Sequence, residues 1–156
     1  LAATRPVTLH LLGGGEDEAA LRALVAALGL GACTRFHGRV DDATMVDVMQ
    51  RGHVSVSVPA SDATSVSVLE SMACGLPVLA SDLPANRRWL DADPLQIVAG
   101  GDVAALAAAL ATLADDPARA GRIAAAQLDR IRREGSRALQ MDHMDRLYRG
   151  LLERRR

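Results

Sequence analysis

The residues best placed to do chemistry are two carboxylates eight positions apart, Asp62 and Glu70, in the stretch "SDATSVSVLESMACGLPVLASD" (Ser61 to Asp82). The stretch opens with an acid and small hydroxyls, continues as a short amphipathic helix, and stops at a Gly-Leu-Pro turn. Helical spacing puts Val66, Leu69 and Ala73 on one apolar face, and Glu70 at the border of that face. A carboxylate at a buried edge costs roughly several kcal/mol unless its oxygens are partnered. The neighbouring sequence offers no obvious partner. A ligand with paired hydroxyls, such as the cis-diol of a ribose, would satisfy both oxygens. The free N–H groups at Thr64, Ser65 and Val66, at the start of the helix, form an anion site. Together these features suit a nucleoside diphosphate lying across a helix end. The alternative at this point is a helix with an exposed glutamate and a polar cap.

Other groupings offer less. Gly13-Gly14-Gly15 follows a short aliphatic run, but Glu18 stands where a dinucleotide fingerprint needs its third glycine. Glu16-Asp17-Glu18 would repel a pyrophosphate, which argues against an NAD site. Asp91-Ala92-Asp93 imitates a metal-binding D-x-D, yet it precedes Pro94 and reads as a turn and cap. His10, His37, His53 and His143 are scattered, and His37 reads as structural. Cys33 and Cys74 make neither a metal site nor a disulfide framework, and a reducing, cytoplasmic setting fits them. Neither a metal nor a cofactor is expected.

Composition narrows the class. The 156 residues suit a single domain with a hydrophobic core. Apolar residues make up 49% and aromatic residues 2%, so that core is aliphatic and alanine-rich. All positive charge is arginine, and the net charge is −1. Neither a nucleic-acid groove nor a membrane-attracting surface follows from such a balance. No stretch is long and apolar enough to span a bilayer, and no signal peptide is evident.

The elements that must hold Asp62 and Glu70 alternate along the chain. Strands are expected at Val7 to Leu12, Thr34 to Gly38, His53 to Val58, Pro77 to Ser81 and Leu95 to Ala99. Helices are expected over 16–28, with a stripe of Leu21, Leu24, Val25 and Leu28, and over Asp41 to Gly52, capped by Asp41 or Asp42. Further helices span 65–74 and, briefly, "LPANRRWLD". Asp102 caps a helix with a stripe of Val103, Leu106, Leu110 and Leu113, Pro117 opens another, and a terminal helix ends in a frayed Arg154 to Arg156. Strands alternating with helices give an α/β domain with a parallel sheet, which binds ligands beyond the carboxyl ends of its strands.

The central stretch closely resembles the signature of the family 4, or "group 1", retaining glycosyltransferases: an acid-x7-Glu pair, an apolar helix, and a G-x-P-V turn. Here these are Asp62, Glu70 and Gly75-Leu76-Pro77-Val78. The resemblance extends upstream through the Gly13/Gly15 turn, "RFHGRV" and "HVSVSVPAS". Downstream it runs through "IVAGGDVAALAAALATLADDPA" to "LYRGLL", so nearly the whole chain is covered in order. It implies a Rossmann-like domain, the C-terminal, donor-binding half of a two-domain GT-B type enzyme. By this resemblance Glu70 holds the nucleotide ribose and Asp62 contacts the transferred sugar. Ala63, Thr64, Ser65 and Val66 meet the sugar and distal phosphate through backbone N–H groups, and Gly38, Arg39 and Val40 border the base. Two departures are evident. Asp62 is one methylene shorter than the family's usual glutamate, and Ser65 replaces a common glycine.

The implied activity is transfer of a sugar, with retention, from a nucleoside diphosphate to an acceptor hydroxyl, without a metal. Residues 1–156 read as one partial nucleotide-sugar-binding domain. The strand and helix that carry the family's diphosphate-gripping Arg and Lys are missing, as is the acceptor domain. The fragment alone is then expected to be inactive. Any peripheral membrane association, at the inner face, would come through the absent domain. An epimerase-like enzyme of the same architecture and a non-catalytic nucleotide-binding module are the alternatives. With the first strand missing, Val7 to Leu12 and Val54 to Val58 should flank a gap. Either they close on each other or another segment or chain fills the slot, so self-association is expected.

Overall fold

The computed structural model describes residues 2, 5–63 and 65–154. They form two compact units, Leu1–Gly52 and His53–Arg156, each treated by itself below.

In the first unit, β1 (Leu9–Leu12) pairs in parallel with β2 (Thr34–Gly38), and a register shift falls between Leu11 and Leu12. The shift lets the Gly13 N–H reach the Gly38 carbonyl at 2.8 Å. Both glycines have positive φ, +105° and +63°, which a residue with a Cβ adopts only at a cost. His10 and His37 meet across the two strands, Nδ1 to Nε2 at 2.8 Å, with stacked rings. This pairing agrees with a structural reading of His37.

Helix α1 (Glu18–Ala27) begins two residues later than expected and has no buried residue. Its anticipated core stripe faces outward: Leu21, Leu24 and Leu28 are 44%, 54% and 61% exposed. The helical period was right, but within the described residues of the first unit nothing covers the face it defines. Helix α2 (Asp42–Arg51) starts where Asp41 accepts a hydrogen bond from the Thr44 N–H at 2.8 Å, which selects Asp41 over Asp42 as the cap.

In the second unit, β3 (Ser55–Ser57), β4 (Val78–Ser81) and β5 (Ile97–Val98) form a parallel sheet in that order. Central β4 is buried at all four positions, as a strand covered on both faces must be. The helices are α3 (Val66–Ala73), α4 (Pro84–Trp89), α5 (Val103–Asp115), α6 (Pro117–Glu134) and α7 (Arg137–Glu153). One core cluster joins Val68 and Met72 of α3 to Val78, Ala80, Leu90 and Ile131. The other joins Leu79 and Val98 to Ala109, Leu113 and Ile123. Leu106, Leu110 and Leu113 of the expected α5 stripe pack on this cluster with Ala109 buried beside them, while Val103 is exposed.

Asp93 is a cap, as its place before Pro94 implied. It accepts from the Leu95 N–H at 2.9 Å, while the Gln96 side chain accepts from the Asp93 N–H. Arg119 grips the same carboxylate through two bonds of 2.7 Å and holds it below the usual aspartate range. All five expected strands are present, each shorter than or equal to its expected span. Among the described residues, β1 and β3 each have a strand partner on one side only.

Candidate functional site

The site is built around α3, and serines hold that helix in place. Strand alternation turns Ser55 and Ser57 to the same side of β3. The Ser55 hydroxyl meets that of Ser71 at 2.8 Å, and Ser57 meets Ser65 at 3.5 Å. Ser65 in turn bonds Ser67 at 2.9 Å. The Ser81 hydroxyl donates to the Pro59 carbonyl at 2.8 Å, which ties the loop after β3 to the carboxyl end of β4. Asn86, buried in α4, donates to the Ser81 carbonyl at 2.9 Å. None of these polar links was anticipated. Their signal was the repeated serine in "HVSVSV" and "TSVSVLES".

At its other end α3 stops at a left-handed glycine. The Leu76 N–H reaches the Ser71 carbonyl at 3.0 Å, the Gly75 N–H reaches that of Met72 at 3.1 Å, and Gly75 has φ +76°. This paired arrangement, with Leu76 buried, is a Schellman motif. It sends the chain from α3 directly into β4.

The helix start differs from those of α2, α5, α6 and α7, which are capped by Asp41, Asp102, Asp116 and Ser136. At α3 the N-cap is Ser65, whose hydroxyl is engaged by Ser57 and Ser67, and no side-chain cap bond forms. The first-turn N–H groups are thus not met by a side-chain cap, and the helix dipole points its positive end at the same place.

Glu70 lies one turn into this helix. It is half-buried, and among the described residues no hydrogen bond or ion pair engages its carboxylate. Its neighbours on the helix require a correction. Val66 is 65% exposed and Ala73 is exposed; the buried face is Val68, Ser71 and Met72, with Leu69 at its edge. Glu70 sits on the more open side, one turn before Cys74. Burial raises the Cys74 thiol above its ordinary range, and the Glu70 charge raises it further.

Asp62 and Ala63 are exposed in the loop from β3 to α3. Thr64 lies outside the described residues. Ser65 and Val66 stand at the amino-terminal end of α3, beyond the carboxyl end of β3, and Glu70 follows one turn into the helix. Gly38, Arg39 and Val40 belong to the first unit, at the carboxyl end of β2. Among the described residues, no group of three or more His, Cys, Asp and Glu side chains is arranged to hold a metal ion. Among the described residues, no helix is long and apolar enough to cross a membrane.

Comparison with known proteins adds the following. The family described as Glycosyl transferases group 1 matches residues 1–116. A phosphatidyl-myo-inositol mannosyltransferase of Mycobacterium leprae is 39% identical over 129 residues, which are 81% of this chain and 34% of that protein. The chain thus spans about a third of the curated relatives it matches. Among solved structures, sucrose-phosphate synthase from Thermosynechococcus elongatus superposes with a TM-score of 0.89 at 24% identity, covering 97% of this chain and 40% of that one. Anabaena HepE in complex with UDP-glucose gives 0.73 at 23%, covering 82% and 37%. These likenesses establish the fold as the Rossmann-like α/β arrangement of GT-B proteins.

Proposed function

This chain belongs to the glycosyl transferases group 1 family, and from that premise we propose that it is the donor-binding domain of a retaining glycosyltransferase. The reading rests chiefly on one observation. Glu70 is a half-buried carboxylate without a hydrogen-bond or ion-pair partner among the described residues, set one turn inside a helix whose first N–H groups have no side-chain cap. In this reading Glu70 accepts hydrogen bonds from the ribose diol of a nucleoside diphosphate sugar, and Asp62 accepts them from the sugar. The N–H groups of Ala63, Thr64, Ser65 and Val66 receive the distal phosphate. Gly38, Arg39 and Val40 border the base.

The chemistry asked of these groups is electrostatic. Negative charge builds on the diphosphate as it leaves, and a fixed helix N-terminus stabilises that charge without reorganising. No step assigned to these residues calls for a metal. The mannosyltransferase relative and the UDP-glucose complex of HepE both support a hexose donor. Acceptor recognition, and any contact with the inner face of a membrane, falls to sequence beyond this third of the relatives' length. The chain by itself is then a binding domain without turnover, and it self-associates through the one-sided edges of β1 and β3.

The test is calorimetric titration of the chain and of the full-length enzyme with UDP, GDP and ADP, in the presence of EDTA. Binding of one nucleotide to both, with turnover in the full-length enzyme alone, is the expected result. Binding without any turnover of a sugar nucleotide would identify a non-catalytic module. Absence of binding to either would remove the donor-site assignment.

A further inference from the structure

At the end of β3, backbone pairing gives way to side chains. The Ser55 N–H donates to the Pro77 carbonyl at 2.9 Å. In a parallel ladder that pairing recurs every second residue, so residue 59 is due to donate to the carbonyl of residue 81. Residue 59 is proline and has no N–H to give. The Ser81 carbonyl accepts instead from the Leu83 N–H at 2.8 Å and from the Asn86 side-chain amide at 2.9 Å. In turn the Ser81 hydroxyl donates to the Pro59 carbonyl at 2.8 Å. Ser81 and Asn86 are each 2% exposed, so water does not compete for these bonds.

Pro59 opens the loop that carries Asp62, and the loop is held at few points. No backbone–backbone hydrogen bond joins residues 59–63 to another described residue. Asp62 is exposed, and among the described residues no hydrogen bond or ion pair engages its carboxylate. Its place therefore depends on where the backbone is pinned on either side. Three residues before it stands the Ser81 bond to Pro59. Three residues after it stands Ser65, which is buried, with its hydroxyl 2.9 Å from that of Ser67 and 3.5 Å from that of Ser57. The Ser81 bond is the only one of these that reaches the loop from β4, the buried central strand.

On the donor-site reading above, on which this inference rests, Asp62 meets the transferred sugar, while Ser65 and Val66 meet the distal phosphate. We propose that Ser81 is a positioning residue for that reaction. Its hydroxyl, held in place by β4 and by Asn86, fixes the Pro59 carbonyl and through it the place of the Asp62 carboxylate against the sugar. Ser81 does not itself act on the donor, because its hydroxyl is buried and committed to Pro59. The two pins divide the work. Moving a contact group by about 1 Å costs on the order of 10²-fold in rate. The start of α3 is held by its own helix and by Ser57, so it stays where it was when the Ser81 hydroxyl is removed. Loss of that hydroxyl therefore acts on turnover and spares nucleotide affinity.

The test is a double-mutant cycle in the full-length enzyme, with Ser81→Ala, Asp62→Ala and the two together. Turnover is read as release of nucleoside diphosphate from UDP-glucose, GDP-mannose or ADP-glucose, and affinity for the bare diphosphate is read by calorimetry. Ser81→Ala should lower kcat at least about tenfold and leave the affinity within about twofold of the parent. In the Asp62→Ala background the same change should lower kcat less than about twofold, because the group it positions is gone. A merely structural Ser81 would lower kcat by the same factor in both backgrounds. That result overturns the proposal, as do parental kcat in Ser81→Ala and a parallel loss of affinity. If Ser81→Ala fails to fold by circular dichroism, Ser81→Cys, which is close in size and donates only weakly, is read in the same cycle. Failure of the donor reading looks different: Asp62→Ala alone keeps parental turnover, or the parent releases nothing from any of the three sugar nucleotides, and the proposal falls with that reading.

Discussion

Replacing Glu70 with glutamine keeps the length of the side chain and removes its charge. A charge-assisted bond to a hydroxyl is worth about 1.5–3 kcal/mol, so Glu70→Gln in the full-length enzyme should weaken donor binding at least about tenfold with little change in melting temperature. Unchanged affinity in calorimetry would return Glu70 to a structural role. The same variant carries an internal control. Cys74 is held in its thiol form by burial and then by Glu70, so removing the carboxylate should lower its pKa and speed its alkylation at a fixed pH. Asp62→Ala should behave differently: lower turnover with nearly unchanged affinity for the bare nucleoside diphosphate. Equal losses in both would place Asp62 at the phosphates. At this scale the sequence was informative where chemistry is local. Asp93 before Pro94 and Asp41 before α2 could be read as caps because a cap depends on its own next three residues. The side of α3 that is buried could not be read so. Apart from Glu70, "VSVLES" has small or apolar residues all round, and the sheet and α6 select Val68 and Met72 over Val66.

Among the elements, α3 is fixed at both ends by features a single substitution can test. Gly75 has φ +76°, with open space where a Cβ would stand, so its cost is conformational and not steric. Gly75→Ala should therefore destabilise the chain by about 1–2 kcal/mol, seen as a lower midpoint in urea with an unchanged slope. The turn before β5 depends on charge. The Arg119 guanidinium holds Asp93 below its ordinary range, so this carboxylate stabilises the fold fully above the unfolded aspartate pKa of about 4. That contribution is lost as pH falls through the lowered folded value. Asp93→Asn should consequently melt earlier than the parent at neutral pH, and the gap should close as the pH is taken below about 4. Element order and type were legible from periodicity and breakers. The serine links from β3 to α3 were not, because hydrogen bonds between elements leave no periodic trace.

For the molecule as a whole, the two apolar core clusters lie within residues 68–131, and α1 buries nothing. Stability follows burial, so hydrogen exchange should be slowest in β4 and among the buried turns of α3 and α6, and fastest in α1 and α7, neither of which has a buried residue. Comparable protection in α1 and β4 would show that the two units open together. The parallel α/β class was readable from the alternation of elements. The outward stripe of α1 was not, because a hydrophobic period says which face wants cover and is silent on what supplies it.

That imbalance also bears on solubility. The stripe of Leu21, Leu24 and Leu28 lies on the surface of α1, and exposed aliphatic patches are where copies of a chain adhere to one another as concentration rises.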